Sequence, residues 1–223
     1  MSRNIKQACP VVLMGLVAAT WFLVGCESVQ IRERPEGWQP FTGVSVDENR
    51  NTRPVGFFKS LRLTIDEAER TPSNEFVSRI RNSFRETNLF LEVSLEKPAV
   101  TYPQVELSLK VTDQLTENRG ANAIKAFLSG LTLFLLSPIL PQYADLTCEM
   151  RLIVVRSDGK SKEYVARTSG TATAGIDLRA QKYELWSKAT SSNLNSIMSQ
   201  MIADEEFYKL TSPRAGKAGL RPT

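Results

Sequence analysis

Two segments of this sequence alternate strictly between apolar and polar residues, and this period of two constrains the fold more than any other feature. The apolar members are Val105, Leu107, Leu109 and Val111 in the first segment and Cys148, Met150, Leu152 and Val154 in the second. Because successive side chains of a strand point to opposite faces, each segment predicts a β-strand with one buried and one solvated face. The turn residues at 157–160 and the Thr/Ala-rich segment 164–173 then predict an antiparallel hairpin.

The segment 61–95 predicts a strand, a helix and a second strand. Apolar residues alternate at both ends, at Leu61, Leu63 and Ile65 and again at Leu91, Val93 and Leu95. Thr71-Pro72 predicts the start of the helix, because Thr accepts hydrogen bonds from exposed amides and Pro suits the first helical position. Phe76, Ile80 and Phe84 then form one apolar stripe, and Asn88 predicts a left-handed end.

A last helix is predicted over 178–209, with Asp177 as its cap. Its apolar stripe comprises Leu194, Ile197, Met198 and Met201. Core packing is the interpretation we favour for this stripe, and a groove for a partner helix is the alternative. In order, the elements are β-α-β-β-(apolar insert)-β-β-α, which predicts an α/β (α+β) fold: a mixed β-sheet packed by two main helices.

The amino terminus predicts a secretory signal. Residues 1–10 carry Arg3 and Lys6 and no acidic residue, and residues 11–24 are fourteen uncharged, mostly apolar residues. At the ~1.5 Å rise of an α-helix, this run covers about 21 Å, less than the roughly 30 Å hydrocarbon core of a bilayer. A basic start, a short apolar run and small residues behind it are typical of a cleaved signal peptide, here residues 1–25.

The residues that end this segment, Leu23-Val24-Gly25-Cys26, resemble the lipobox of bacterial lipoproteins. The resemblance implies cleavage before Cys26 and acylation of both its thiol and its new amino group, so the expected partner is a lipid bilayer. Glu27 stands where Asp signals inner-membrane retention in many enteric bacteria, which favours the outer membrane, facing the periplasm, over the inner membrane. An ordinary signal peptide with an accidental cysteine and an uncleaved anchor stay open.

These features predict the organisation of the whole chain. Residues 26–54 are polar and contain prolines, and we expect a lipidated tether there. Residues 55–210 are expected to form a single α/β domain with an apolar insertion at 124–141. The polar segment 211–223 is expected to be a disordered tail.

Composition excludes several kinds of chemistry. The sequence has no histidine, which excludes Ser-His-Asp and Cys-His catalysis and HExxH zinc sites. Its carboxylates are scattered and its glycines form no phosphate-binding loop, so we predict no enzyme activity, no cofactor and no metal site. The formal charge of +4 falls to about +2 without residues 1–25, and this balance does not predict nucleic-acid binding. Cys148 remains without a cysteine partner and is predicted to be a small buried hydrophobe.

A second resemblance concerns the mature chain. The segments Phe76-Val77-Ser78-Arg79-Ile80-Arg81-Asn82-Ser83-Phe84 and Asn88-Leu89-Phe90-Leu91-Glu92-Val93 resemble a pattern of small envelope lipoproteins, FxxxLxxxL followed by sGxFxxV. Those lipoproteins are related to the TolB amino-terminal domain and to the curli-secretion lipoprotein, and polysaccharide-export lipoproteins of the PelC kind belong to the same broad fold. This sequence departs from the pattern at Asn88-Leu89, where a glycine is usual. The resemblance implies an α/β fold over about residues 55–210 and supplies no catalytic residue.

The segment between Lys125 and Asp145 holds nineteen uncharged residues. Its candidate contact residues are Phe127, Leu128, Leu131, Phe134, Leu135 and Ile139. A helix from 124 to 137 has no polar face and is too short to cross a bilayer, since it covers about 21 Å. Three interpretations remain: a buried core helix, an element that dips into the leaflet, and a surface that closes when subunits or a partner assemble. Because the segment connects two strands, we favour an insertion that serves the membrane or an assembly.

Together these features predict a membrane-anchored, non-enzymatic structural or assembly component of the bacterial cell envelope. The alternative is an oligomeric ring or pore component of an export apparatus, with copies of this chain or another envelope protein as partners. An envelope enzyme that uses carboxylates alone is the second alternative.

Overall fold

The structure is a computed structural model that describes residues 27–38, 40–41, 53–99, 103–132, 140–175 and 177–209. Four of the predicted site residues, Cys26, Phe134, Leu135 and Ile139, lie outside these ranges, as does the predicted tail. The strands are β1 (Ser28–Glu33), β2 (Val55–Ile65), β3 (Ala68–Arg70), β4 (Glu92–Ser94), β5 (Gln104–Glu117), β6 (Gln142–Arg156) and β7 (Ser161–Ala174). The helices are α1 (Asn74–Glu86), α2 (Arg119–Leu131), α3 (Arg179–Ala203) and α4 (Glu205–Tyr208).

The strands of the described residues form one seven-stranded mixed sheet in the order β1-β7-β6-β5-β2-β3, with β4 also paired to β2. β2 is parallel to β5 and β4 and antiparallel to β3. Its register with β5 shifts between Phe58 and Ser60, which leaves Lys59 as an extra residue, as in a β-bulge. The predicted α/β fold, a mixed sheet with helices packed against it, is therefore confirmed, and α2 is a further helix of 13 residues beside the two predicted ones.

The chain divides into two compact units. The first draws on Met1–Arg32, Leu115–Leu146 and Ser169–Lys188, and the second on Glu33–Gln114, Thr147–Thr168 and Ala189–Thr223. Strands β5, β6 and β7 and helix α3 contribute residues to both units. The predicted boundaries of a single domain at 55–210 stay a prediction.

In the second unit, helix α1 buries its predicted stripe of Phe76, Ile80 and Phe84. The ring of Phe84 meets that of Phe58 edge-on, with centroids 5.5 Å apart. The predicted cap was wrong by two residues: Ser73, not Thr71, accepts the amide hydrogen of Phe76 at 3.2 Å, and the helix begins at Asn74. A serine hydroxyl serves this role as well as threonine does, and Ser73 is the acceptor closest to the first buried residue.

Several smaller predictions can be compared with the structure. Asn88 has the predicted left-handed conformation, with φ 55°, and Gly159 takes φ 83° in the turn between β6 and β7. Strand β4 is shorter than predicted: Val93 is buried, whereas Leu91 and Leu95 are exposed. Among the described residues the last helix ends at Ala203 and a short helix follows. The apolar stripe of α3, which comprises Leu194, Ile197, Met198 and Met201, is buried, so core packing is the correct interpretation.

In the first unit, strand β1 lies inside the segment that we expected to be a tether. β1 pairs with β7, and the two backbones approach closely at Gly170. A Cβ atom at this position would lie 2.6 Å from both the Gln30 carbonyl oxygen and the Leu185 Cδ1 atom, so only glycine fits. Among the described residues, strand structure is thus already present at Ser28, inside the predicted tether.

Candidate functional site

Helix α2 carries the described part of the predicted contact residues, and its start is set by local chemistry. Asn118 caps the helix, because its side-chain oxygen accepts the amide hydrogen of Ala121 at 3.0 Å. At the other end, the Thr132 hydroxyl donates to the Leu128 carbonyl at 3.0 Å. The helix therefore begins at Arg119, five residues before the predicted start at 124.

One face of α2 is apolar and faces solvent. Ile124, Phe127, Leu128 and Leu131 are exposed by 63%, 65%, 40% and 66%. Their spacing of i, i+3, i+4 and i+7 places them on one stripe of the helix. We call these four residues the α2 apolar face. For the described residues the interpretation as a buried core helix is therefore wrong, because the apolar side chains lie on the outer side of the helix.

The opposite face of α2 is polar and attaches the helix to the start of β6. The Asn122 side-chain amide donates to the Tyr143 carbonyl at 3.0 Å and accepts the Tyr143 amide hydrogen at 3.4 Å. The Lys125 ammonium donates to the Pro141 carbonyl at 2.9 Å and lies 4.8 Å from the centroid of the Tyr143 ring. Asn122 and Ser129 are buried. These contacts orient the helix with its polar residues inward and its apolar residues outward.

Glu27, the residue that follows Cys26, belongs to the first unit, as does α2. Glu27 is the first described residue and accepts a hydrogen bond from the Gln181 amide, with 2.8 Å between Nε2 and Oε2. Gln181 lies in the first turn of α3, and Asp177 accepts the Arg179 amide hydrogen there at 2.9 Å, as predicted for a cap. Cys26 itself lies outside the described residues, but it is covalently joined to Glu27.

An ion-pair cluster joins the start of α3 to the end of β5, just before α2. The Glu117 carboxylate accepts from the Lys182 ammonium at 3.2 Å and from Arg119 Nε at 3.0 Å. Partial burial raises the pKa of Glu117, but the hydrogen bonds and charges of Lys182 and Arg119 outweigh it, and the net pKa is below the ordinary value. Glu27, the start of α3 and the start of α2 are thus linked by side-chain contacts within the first unit.

The thiol of Cys148, the free cysteine among the described residues, is buried. Cys148 is fully buried, as predicted, and the Asn193 side-chain amide donates to its carbonyl oxygen at 2.9 Å and contacts its sulfur at 3.2 Å. Burial, followed by the negative charge of Asp113, raises the pKa of this thiol well above its ordinary value. Because the thiolate is the reactive form, the structure favours a packing role.

A sequence without histidine still allows catalysis by carboxylates alone, but the acidic pairs at 66–67 and 205–206 lie at exposed turns and helix ends. Asp66 and Glu67 have positive φ and form the turn between β2 and β3. Glu205 and Glu206 pair with the Lys209 ammonium at 2.6 and 2.7 Å. Such solvated pairs are typical of surface charge rather than acid–base catalysis. Within the described ranges there is no group of three or more Cys, Asp or Glu residues that could hold a metal ion.

A hollow of about 690 Å³ in the second unit is lined by residues 33–37 and 165–167 together with Gln200. Its two carboxylates, Glu33 and Glu36, are exposed and share the rim with Arg34 and Arg167.

In the part of the chain that is described, no helix is both long enough and apolar enough to cross a membrane.

Comparison with known proteins adds fold-level similarities only. Neither a family model nor a curated protein matches the sequence. Among solved structures, the chain is similar to rare lipoprotein B from Shewanella oneidensis, with 15% identity and a TM-score of 0.34 over 67% of this chain and 97% of that chain. It is also similar to a PelC dodecamer from Paraburkholderia phytofirmans, with 13% identity and a TM-score of 0.31 over 78% and 96%. Because both TM-scores are below 0.5, neither similarity carries a conclusion about function.

Proposed function

We propose that this chain is a lipid-anchored protein of the bacterial cell envelope that acts through binding and assembly rather than catalysis. The observation that carries the proposal is the position of the lipobox cysteine, one residue before Glu27, the first described residue of the first unit, and two residues before β1. Acyl chains on Cys26 would hold this unit directly at a bilayer surface. Several acyl chains anchor a protein durably, whereas a single chain binds only marginally.

The chemistry of the described surface supports a non-catalytic role. The thiol is buried, the carboxylates form exposed ion pairs, and the hollow in the second unit has a mixed-charge rim. The largest exposed feature on α2 is apolar, which suits contact rather than chemistry. Facing the periplasm from the outer membrane is part of the same proposal, because Glu27 replaces the aspartate of the retention rule.

Mass spectrometry of the mature amino terminus, combined with a Cys26→Ser variant, tests the anchor. We expect the native protein to begin at Cys26 with added fatty-acid mass and to sediment with envelopes. The Cys26→Ser variant should remain unprocessed and carry no fatty-acid mass at position 26. Cys9→Ser is the matched control, because this cysteine also precedes the folded part but lies outside the lipobox. A Cys26→Ser variant that is processed and distributed like the native protein contradicts the proposal.

Assembly into an export ring or pore is a second candidate, and the exposed apolar face of α2 favours considering it, because subunit contacts bury such faces. Its test is the particle mass in mild detergent. A discrete oligomer whose size depends on Phe127 supports this candidate, and a monomer supports an accessory role.

A further inference from the structure

We infer that the α2 apolar face inserts into the lipid leaflet that holds the acyl chains of Cys26, so that α2 and the lipid anchor form a two-point attachment of the first unit. The inference rests on the proposed lipid anchor and adds the surface by which the folded unit binds the bilayer. The occupant of the apolar face is thus a lipid surface, not a second protein.

Helix α2 exposes its apolar face and buries its polar face. An ordinary surface helix of a soluble domain buries its apolar stripe and exposes its polar face. Here Asn122 and Lys125 fix the polar face to Tyr143 and Pro141 through three hydrogen bonds, which prevents the helix from rotating its stripe inward. The stripe of Ile124, Phe127, Leu128 and Leu131 needs a partner outside the described residues.

The lipobox cysteine is adjacent in sequence to Glu27, which side-chain contacts link to the start of α2. Cys26 lies one peptide unit, about 3.8 Å between Cα atoms, from Glu27. Glu27 is bound to Gln181, the neighbouring Lys182 is bound to Glu117, and Glu117 is bound to Arg119, the first residue of α2. The lipidated residue and the start of α2 are therefore joined through a short series of contacts in one unit.

Little spacer separates the lipobox cysteine from β1. Because β1 begins at Ser28, only Glu27 separates the acylated residue from the sheet, and the first unit must lie against the headgroups. A helix of 13 residues is about 20 Å long, a length that lies along an interface rather than across a bilayer. No charged side chain interrupts the α2 apolar face, whereas a protein-binding site usually surrounds its apolar centre with polar rim contacts.

The experiment measures where Phe127 lies when the full-length, lipidated protein is bound to vesicles of phosphatidylethanolamine and phosphatidylglycerol. A Phe127→Cys variant carries a nitroxide spin label, which reacts selectively because Cys148 is buried and Cys26 is acylated. Tyr183→Cys is the matched control, because Tyr183 is 62% exposed, belongs to the same unit and lies on α3. Oxygen, which enters lipid, and a water-soluble nickel chelate serve as the two relaxing agents.

We expect the ratio of oxygen to nickel accessibility at position 127 to exceed that at position 183 several-fold in vesicles. The two positions should be alike in a sample without vesicles that carries both Cys26→Ser and Cys9→Ser, because the unprocessed chain keeps Cys9. Equal ratios on vesicles overturn the inference. Spin–spin broadening between labels at position 127 of different molecules, with nickel and oxygen both excluded, overturns it in favour of a second copy. Labels at Ile124 and Leu131 should repeat the lipid signature.

Mass spectrometry of the same vesicle-bound sample distinguishes the two possible failures. If Cys26 is acylated and the label at position 127 is in water, the α2 inference fails and the proposed anchor stands. If Cys26 is not acylated, the proposed function itself fails, and the inference that depends on it fails with it.

Discussion

Helices α1 and α2 each have 13 residues and begin with a side-chain cap, yet α1 buries its apolar face and α2 exposes its apolar face. In α1, Phe76, Ile80 and Phe84 are buried, whereas Glu75 and Arg85 are exposed. In α2, the polar residues Asn122 and Ser129 are buried, and the apolar residues are exposed. The comparison shows that apolar residues at helical spacing identify a stripe but not which side of the helix the protein core lies on. Which side of the helix faces the core depends on the hydrogen-bond partners that are available to its polar side chains.

The strongest test of this comparison is the same truncation in both helices. Phe84→Ala should lower the free energy of unfolding by about 3–5 kcal/mol, because it removes a fully buried ring packed edge-on against Phe58. Phe127→Ala should change it by less than about 0.5 kcal/mol, as exposed positions usually do. Chemical denaturation followed by far-UV circular dichroism measures both. Equal losses would mean that Phe127 is packed in the isolated protein.

The second test removes the inward attachment of α2. Asn122→Ala should cost about 1–2 kcal/mol locally, because the Tyr143 backbone groups lose both partners on the amide. Hydrogen exchange of the α2 amides in mild detergent should accelerate, while exchange in α1 stays unchanged. Ala123→Ser is the control, because Ala123 is an exposed neighbour on the same helix. Unchanged protection in Asn122→Ala contradicts an attachment through the polar face.

The third test compares the two caps. Ser73→Ala and Asn118→Ala each remove one side-chain acceptor at a helix start and should each cost about 1 kcal/mol of helix stability. Because α1 also has a buried apolar stripe, we expect its first turn to remain ordered in Ser73→Ala. The first turn of α2 should fray in Asn118→Ala, which amide exchange resolves. Fraying in α1 but not in α2 would reverse the comparison.

Much of the fold could be predicted because its long strands have one solvent-exposed face, which makes polar and apolar residues alternate in the sequence. The alternations in β5 and β6, the turn before β7, the stripe of α1 and the left-handed Asn88 were all visible in the sequence. Each of these patterns reports a local constraint, namely which side chains face the core or which backbone angles a residue tolerates. Local constraints of this kind do not require knowledge of the partner strand.

The missed features depend on distant partners. In β1, Val29 and Ile31 alternate with polar residues, but only half-buried side chains and the close approach at Gly170 distinguish this strand from a tether. The turn at Asp66 and Glu67 uses positive φ without a glycine, so it lacks the usual signal. For α2, the uncharged run from Ala126 onward does not reveal the bonds that Asn122 and Lys125 make to the backbone of Tyr143 and Pro141, at the start of β6 and just before it.

The smallest expected effect concerns the ion-pair cluster of Glu117, Lys182 and Arg119 beside α2, which we compare with the exposed pair of Glu75 and Arg79 at the start of α1. The pKa of Glu117 in the folded protein is lowered from 4.5, so its pairing with Lys182 and Arg119 stabilises the fold at pH values above 4.5. This contribution is lost as the pH falls below 4.5 through the lowered folded pKa, because the protonated carboxyl no longer pairs. Glu117→Gln should remove at most about 1 kcal/mol at neutral pH, and should reduce the acid dependence of unfolding in that window. Glu75→Gln is the control, because Glu75 pairs with Arg79 along α1, at 3.6 Å, and its side chain is largely exposed. If both variants respond equally to acid, the cluster has no particular role in joining α3 to the start of α2, and the attachment of α2 then depends on Asn122 and Lys125 alone.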